Sequence, residues 1–380
     1  MSKIFNAGPS IGNVMQQQHQ ASPLLYYYSK EFKEKMEGKY QEWGGESFFG
    51  LPEKKAGACW YYSRGCLYYT PQGIFEIHGE IYKKWRELGG ARWGKPTTNE
   101  LTCPDGKGKY NHFNHETASI YWSSHTGVFS CVGDIRQKWL SIGAEKSYLG
   151  YPTSDENDFP DGGRVSAFQG GGIYWWPDTG AIDLKDVALH YKGLVCIKET
   201  GEASGADEPY AAIGITTPFE TKSFTTREYS SVDSNTSRPD YLELYRGKPN
   251  GIGLSIILME RDHGNPEEAR KRVQTVVQKM HETGTLALGF IPVIGVGIAA
   301  IAGPLIQKLV PGTAQLISDF LGFADDQIGT QQITLTAKDL LLLATRTADS
   351  TYKSISFRLS TNNLRGENAN YKLYFTVLPV

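Results

Sequence analysis

Cysteine is sparse in this chain: five residues in 380, an odd number, with no Cys-x-x-Cys spacing. That argues against a zinc knuckle and against a dense disulfide framework. Cys59 and Cys66 are spaced to bridge a hairpin, although reduced thiols are the default for a chain made in the cytosol. The first twenty residues contain no basic stretch followed by an apolar run, so no secretory signal peptide is expected. The chain is expected to be cytoplasmic, or to reach a cell surface by a non-classical route. Neither sign of charge dominates: 39 Lys and Arg stand against 41 Asp and Glu, a net charge of -2. Nothing basic enough to track a phosphate backbone is present, so nucleic acid is not an expected partner. Catalytic signatures are missing too. There is no G-x-S-x-G, H-E-x-x-H, P-loop or G-x-G-x-x-G, and His112 and His115 of the NHFNH segment have no third ligand in view. The expectation is that this is not an enzyme.

What is present begins with a repeat. All eight tryptophans precede residue 177, which places a composition boundary near 185. IYKKWRELGG at 81–90 recurs as IRQKWLSIGA at 135–144, and WGKPTTNE at 93–100 recurs as LGYPTSDE at 149–156. CPDGKGKYNHF at 103–113 matches FPDGGRVSAF at 159–168, and IYWSSHTG matches IYWWPDTG. A shortened earlier copy keeps the same order in MEGKYQEWGG, FGLP and CLYYTPQG. Each copy reads as a short amphipathic helix, with Ile81, Trp85 and Leu88 on one face and a stop at Gly89-Gly90. A tight x-G-x-P turn and a hairpin follow. One such unit cannot bury its own apolar face, so copies must pack on a neighbour.

The tetrapeptide LGYP at 149–152, with WGKP and FGLP as diverged versions, resembles the LGFP-repeat family over roughly residues 30–184. The resemblance implies a cell-surface or cell-wall binding module that recognises a glycan or wall polymer. Aromatic faces suit sugar stacking, and Tyr121, Trp122, Tyr174, Trp175 and Trp176 are the candidates. Strand alternation turns most of these inward. Trp176 is the expected surface residue, because the second copy has Ser123 in its place.

After residue 187 the texture changes to alternating strands with polar, Gly-rich turns, as in VALHYKGLVCIKE, YLELYRG, GLSIILME, QQITLT, SISFRLS and YKLYFTVLPV. This pattern favours an antiparallel β-sandwich. Three pieces in order resemble a C2-type domain: ADEPYAAI at 206–213, LSIILMERD at 254–262 and DDQIGTQQITL at 325–335. The departures are Glu260 in place of an aspartate, one extra residue in ADEPY, and about 60 residues between Asp262 and Asp325. The resemblance implies a calcium site. Asp207, Glu260, Asp262 and Asp325 or Asp326 match its ligand positions, with Glu202 and Glu208 as further carboxylates. The alternative is a solvated acidic rim without metal.

Residues 264–324 read as a helical insertion. Asn265-Pro266-Glu267-Glu268 opens a helix, and residues 283–307 then run without a charge, broken by Pro292 and Pro304. Phe290, Ile291, Val293, Ile294, Val296, Ile298 and Ile301 form its most apolar part. The length suits a membrane span, while the prolines divide it into pieces the size of buried helices. The expected class is therefore α+β. A 1–29 extension precedes three repeats (about 30–78, 79–132 and 133–184), and a C2-like sandwich at 187–380 carries the apolar hairpin. One functional expectation is a surface-binding protein that uses calcium and possibly lipid membrane, perhaps as a cytolytic or pore-forming toxin. The other is a structural or adhesive lectin-like protein without membrane activity. Oligomeric state is not readable from the sequence.

Overall fold

The computed structural model describes residues 26–201, 205–261, 271, 275 and 327–380. The expectations for Glu202, Asp262, Asp325, Asp326 and the apolar stretch from Phe290 to Ile301 lie outside the described residues. The chain falls into two compact units, Met1–Trp122 and Ser123–Val380.

The first unit opens with α1 (Lys30–Glu42), capped by Ser29, whose hydroxyl accepts the Phe32 N–H at 3.1 Å. Helix α2 (Gly45–Phe49) leads into strands β1 (Pro52–Ala56), β2 (Cys59–Tyr62), β3 (Gly65–Thr70) and β4 (Gly73–His78). Phe32, Met36, Phe49, Trp60, Tyr62 and Leu67 make the core between helix and sheet. Helix α3 (Gly79–Glu87) starts the second copy and buries Ile81, Tyr82 and Trp85. Its stop is where the sequence sets it, at Gly89, which takes a φ of +111° that a side chain would resist. Strands β5 (Leu101–Thr102), β6 (Gly108–Phe113) and β7 (Ala118–Ser123) follow.

The second unit takes up β8 (Gly127–Val132) and the third copy: α4 (Gly133–Ser141), β9 (Asn157–Asp158), β10 (Arg164–Phe168), β11 (Gly171–Trp176) and β12 (Gly180–Leu184). Each copy thus carries four strands that pair in chain order, β1–β4, β5–β8 and β9–β12. The sequence predicts a hairpin per copy and a shortened first copy. The difference arises because β1, β5 and β9 have almost no apolar alternation to announce them, reading PEKKA, LT and ND.

Beyond residue 187 two antiparallel sheets form. One runs β16 (Ser237–Gly247), β13 (Val187–Lys198), β23 (Ala369–Pro379) and β21 (Leu359–Ser360), with β22 (Leu364–Gly366) also on β23. The other runs β15 (Thr221–Thr225), β14 (Pro209–Thr216), β17 (Ile252–Glu260) and β18 (Gln327–Leu335). A small hairpin joins β19 (Ser350–Tyr352) to β20 (Ile355–Phe357), and α5 (Ala337–Thr345) is closed by a Thr336–Asp339 capping box. β14 and β17 are buried at every position, which explains their near-continuous apolar sequence. β17 and β18 are paired neighbours from Ile252↔Leu335 to Met259↔Gln327, so the 264–324 segment is an excursion between adjacent strands.

One large core is shared by the third copy and the C-terminal sheets. Phe159, Val165, Tyr174, Trp176, Ile182 and Leu184 of the third copy pack in the same cluster as Leu189, Ile213, Leu254, Leu340 and Phe375. The composition boundary near 185 is therefore not a division of the core. The third copy buries its apolar face against the C-terminal sheets, as a repeat without a following neighbour must.

Candidate functional site

The second and third repeats are locked by the same contacts. The indole N–H of Trp85 donates to the Gly94 carbonyl at 2.8 Å, and that of Trp139 donates to the Gly150 carbonyl at 3.0 Å. The x-G-x-P step lies beside the second strand of its sheet, with bridges Pro96↔Phe113 and Pro152↔Phe168. A side-chain amide after that strand accepts the next backbone N–H: Asn114 from Lys95 at 3.1 Å and Gln169 from Tyr151 at 2.9 Å. In the first copy Ser63 does this for Leu51 at 3.1 Å. Gly150 is needed here, since its φ is +67° and a Cβ would meet the Gln169 amide oxygen at 2.5 Å. Copies are stitched in turn, with Glu76 N–H donating to Asn99 at 3.2 Å and Ser130 N–H to Asp155 at 2.8 Å. The repeated tryptophan of the helix is thus a structural tie.

The repeated solvent-facing position is different. Strands β3, β7 and β11 share one burial pattern, buried at every residue except the fifth. That fifth residue is Tyr69, Trp122 and Trp175 in successive copies. Tyr121 and Tyr174, one residue earlier, are core, as strand alternation expects. Trp176, expected at the surface, is instead 2 % exposed. It stacks on Phe159 at 5.3 Å, and its N–H is held by Asp161 at 2.9 Å. The serine in the second copy misled because the third copy has a neighbouring core to fill that the repeat itself does not encode.

Around Trp175 the geometry is fixed. Its indole N–H donates to the Asp134 carboxylate at 2.8 Å, and the Arg164 guanidinium lies over the ring at 5.7 Å. Arg164 in turn pairs with Glu156 at 2.9 Å and Asp158 at 3.5 Å. Burial raises the pKa of Glu156 above the usual carboxylate range, Asp158 and Asp134 add to that, and Arg164 opposes it. The result is a half-buried indole in a rim of three carboxylates and one guanidinium. Asp134, Arg164 and Glu156 escape a reading that looks only for aromatics. Comparing the copies would have found them, because Glu80, Lys109 and Glu100 stand at the same repeat positions in the copy that bears Trp122. Burial raises Glu100 as it does Glu156, with Lys109 again opposing. In the first copy Tyr69 is covered by Tyr26, Tyr27 and Phe32, with ring centroids 5.4–6.3 Å apart. The second copy repeats the aromatic position and the acid–base–acid residue types in sequence, with Thr102 in place of Asp158, and the first copy does not.

A second polar cluster joins the first copy to the next. Buried Glu76 accepts the Glu100 N–H at 2.7 Å and holds His78 Nδ1 at 2.6 Å, while His78 Nε2 lies 3.4 Å from Glu100. His112 lies on β6 with its Nδ1 2.7 Å from the Ser119 hydroxyl, and His115 sits in a left-handed turn at φ +54°.

Of the acidic positions assigned to calcium, three are described. Asp207 is 1 % exposed and its carboxylate accepts the Thr200 N–H at 3.0 and 3.1 Å, the Thr200 hydroxyl at 2.7 Å and the Tyr371 hydroxyl. Glu260 is buried, and one of its oxygens accepts the Glu208 N–H at 2.6 Å. Among the described residues no group of three or more His, Cys, Asp or Glu is arranged to hold a metal ion. Among them, too, no helix is long and apolar enough to cross a membrane.

Compared with known families, residues 94–147 and 149–189 match the LGFP repeat. The match takes in Trp122 and most of the second copy, and the third copy with Trp175. No curated protein matches the chain.

Proposed function

We propose that this chain is a non-enzymatic surface-binding protein whose repeats hold a glycan or cell-wall polymer at Trp122 and Trp175. The observation that carries the reading is the recurrence of one half-buried aromatic position, Trp122 and Trp175, in the two copies that the LGFP match covers, with an acid–base–acid rim around Trp175. LGFP repeats are a cell-surface and wall-associated type of module, which agrees with a polymeric ligand. An indole whose edge is tied by Asp134 is preorganised, so stacking a sugar ring on it costs little conformational entropy. The carboxylates around it outnumber the single cation, which suits sugar hydroxyl groups better than anionic substituents.

For the C-terminal sheets a calcium-independent, adhesive role is the reading favoured by Asp207, whose oxygens are already taken by Thr200 and Tyr371. The calcium-dependent membrane-active reading rests on positions 202, 262, 325, 326 and 283–307.

The experiment is co-sedimentation of the whole protein with insoluble cell-wall polysaccharide, for wild type and for Trp122→Ala, Trp175→Ala and the double variant. Binding that weakens in each single variant and disappears in the double one is expected. Equal binding by all four would overturn the assignment. Vesicle leakage with calcium and with chelator separates the two C-terminal readings.

A further inference from the structure

We infer that Cys59 and Cys66 are a disulfide site, reduced as drawn here and closed by exchange with a low-molecular-weight disulfide. The two residues sit on adjacent antiparallel strands, with Cys59 opposite Tyr68 and Cys66 opposite Tyr61. They are thus diagonal neighbours two residues out of register on one face of the sheet. Both are buried, with the Cys59 side chain beside that of Cys66. Burial pushes the Cys66 thiol well above its ordinary value, so neither sulfur is a surface nucleophile in the closed sheet. The way in is from the side of β1, the outermost strand of this sheet, whose residues are almost all exposed. Cys103, Cys131 and Cys196 are buried elsewhere in the fold.

The chemistry balances without any group from elsewhere in the protein. One thiolate attacks the small disulfide, forming a mixed disulfide and releasing one small thiol. The second thiolate then attacks the protein sulfur of the mixed disulfide, forming the Cys59–Cys66 bond and releasing the second small thiol. Two protein thiols are oxidised, one small disulfide is reduced to two thiols, and the two protons leave with the products. The site needs no ligand at Trp122 or Trp175, so it stands or falls apart from the binding function.

The test uses the full chain brought to equilibrium in buffers of increasing oxidised over reduced glutathione, approached from the reduced and the oxidised side. Free thiols are then alkylated in denaturant and the protein is cut with trypsin without reduction. Cleavage after Arg64 separates the cysteines, so the bond appears as peptide 56–64 linked to 65–83, and Cys103, Cys131 and Cys196 appear alkylated. The linked pair should vanish with dithiothreitol and be absent from Cys66→Ser, while Cys196→Ser should retain it. Alkylation of Cys59 and Cys66 at every glutathione ratio, or their linkage to another cysteine, would overturn the inference.

Discussion

The Trp139 indole nitrogen lies 3.0 Å from the Gly150 carbonyl oxygen, a bond reproduced 54 residues earlier in chain position by Trp85 with Gly94. A helix side chain thereby fixes the turn that precedes its own sheet. Trp139→Phe keeps most of the buried area but leaves that carbonyl without its donor, at a cost of about 1–3 kcal/mol. Trp139→Ala adds a cavity and should cost about 3–5 kcal/mol. Urea unfolding of both variants checks the order. Equal stability of wild type and the phenylalanine variant would show the bond to be incidental.

Trp175 and Trp176 should behave oppositely. Trp176→Ala empties a core position and should destabilise the second unit by about 3–5 kcal/mol. Trp175→Ala should leave the fold nearly unchanged and weaken polymer binding by about tenfold, a free-energy change of about 1.4 kcal/mol. Thermal melts and binding isotherms on the same samples separate the two effects.

His78 makes the first unit pH-sensitive. Burial lowers its pKa, but the hydrogen bond and charge of Glu76 and the charge of Glu100 outweigh burial and the opposing Lys109, so the net shift is upward. A raised folded value means the stabilisation is complete below the ordinary histidine value of about 6.5 and disappears as pH rises through the raised one. Melting temperature should therefore fall across that window in wild type and much less in His78→Gln. Parallel curves for the two proteins would remove His78 as the cause.

The Asp207 network ties the 199–208 segment to β23, 164 residues away through Tyr371. Tyr371→Phe should cost about 1–3 kcal/mol by leaving a buried carboxylate one donor short. Calcium should leave the melting temperature of wild type unchanged. A calcium-induced rise that Asp207→Asn abolishes would favour the calcium-dependent reading.

Much of the repeat was legible because its signals are local: glycine at a left-handed stop, proline after a tight turn, an aromatic strand before a Thr-Gly turn. The edge strands β1, β5 and β9 were not, since two to five polar residues carry no periodicity. Asp207 reads as a ligand through the resemblance of ADEPY to a C2-type loop, whereas its burial beneath Tyr371 depends on a strand at the other end of the chain. Trp176 reads as surface for a similar reason, since the core that covers it comes from beyond the repeat.

Trp175 and Trp176 are consecutive and face opposite ways, one toward solvent and one into the core shared with the C-terminal sheets. The hairpin that bears them is also pinned from outside, with Lys338 on Asp178 at 2.7 Å and Arg346 on the Thr179 carbonyl at 2.7 Å. A load applied to a polymer held at Trp175 therefore passes directly into Trp176 and the sheets behind it, with no hinge in between. On the proposed reading the third repeat would be the anchored end of the tether, where tension is resisted by the unfolding barrier of packed core instead of by the give of a linker.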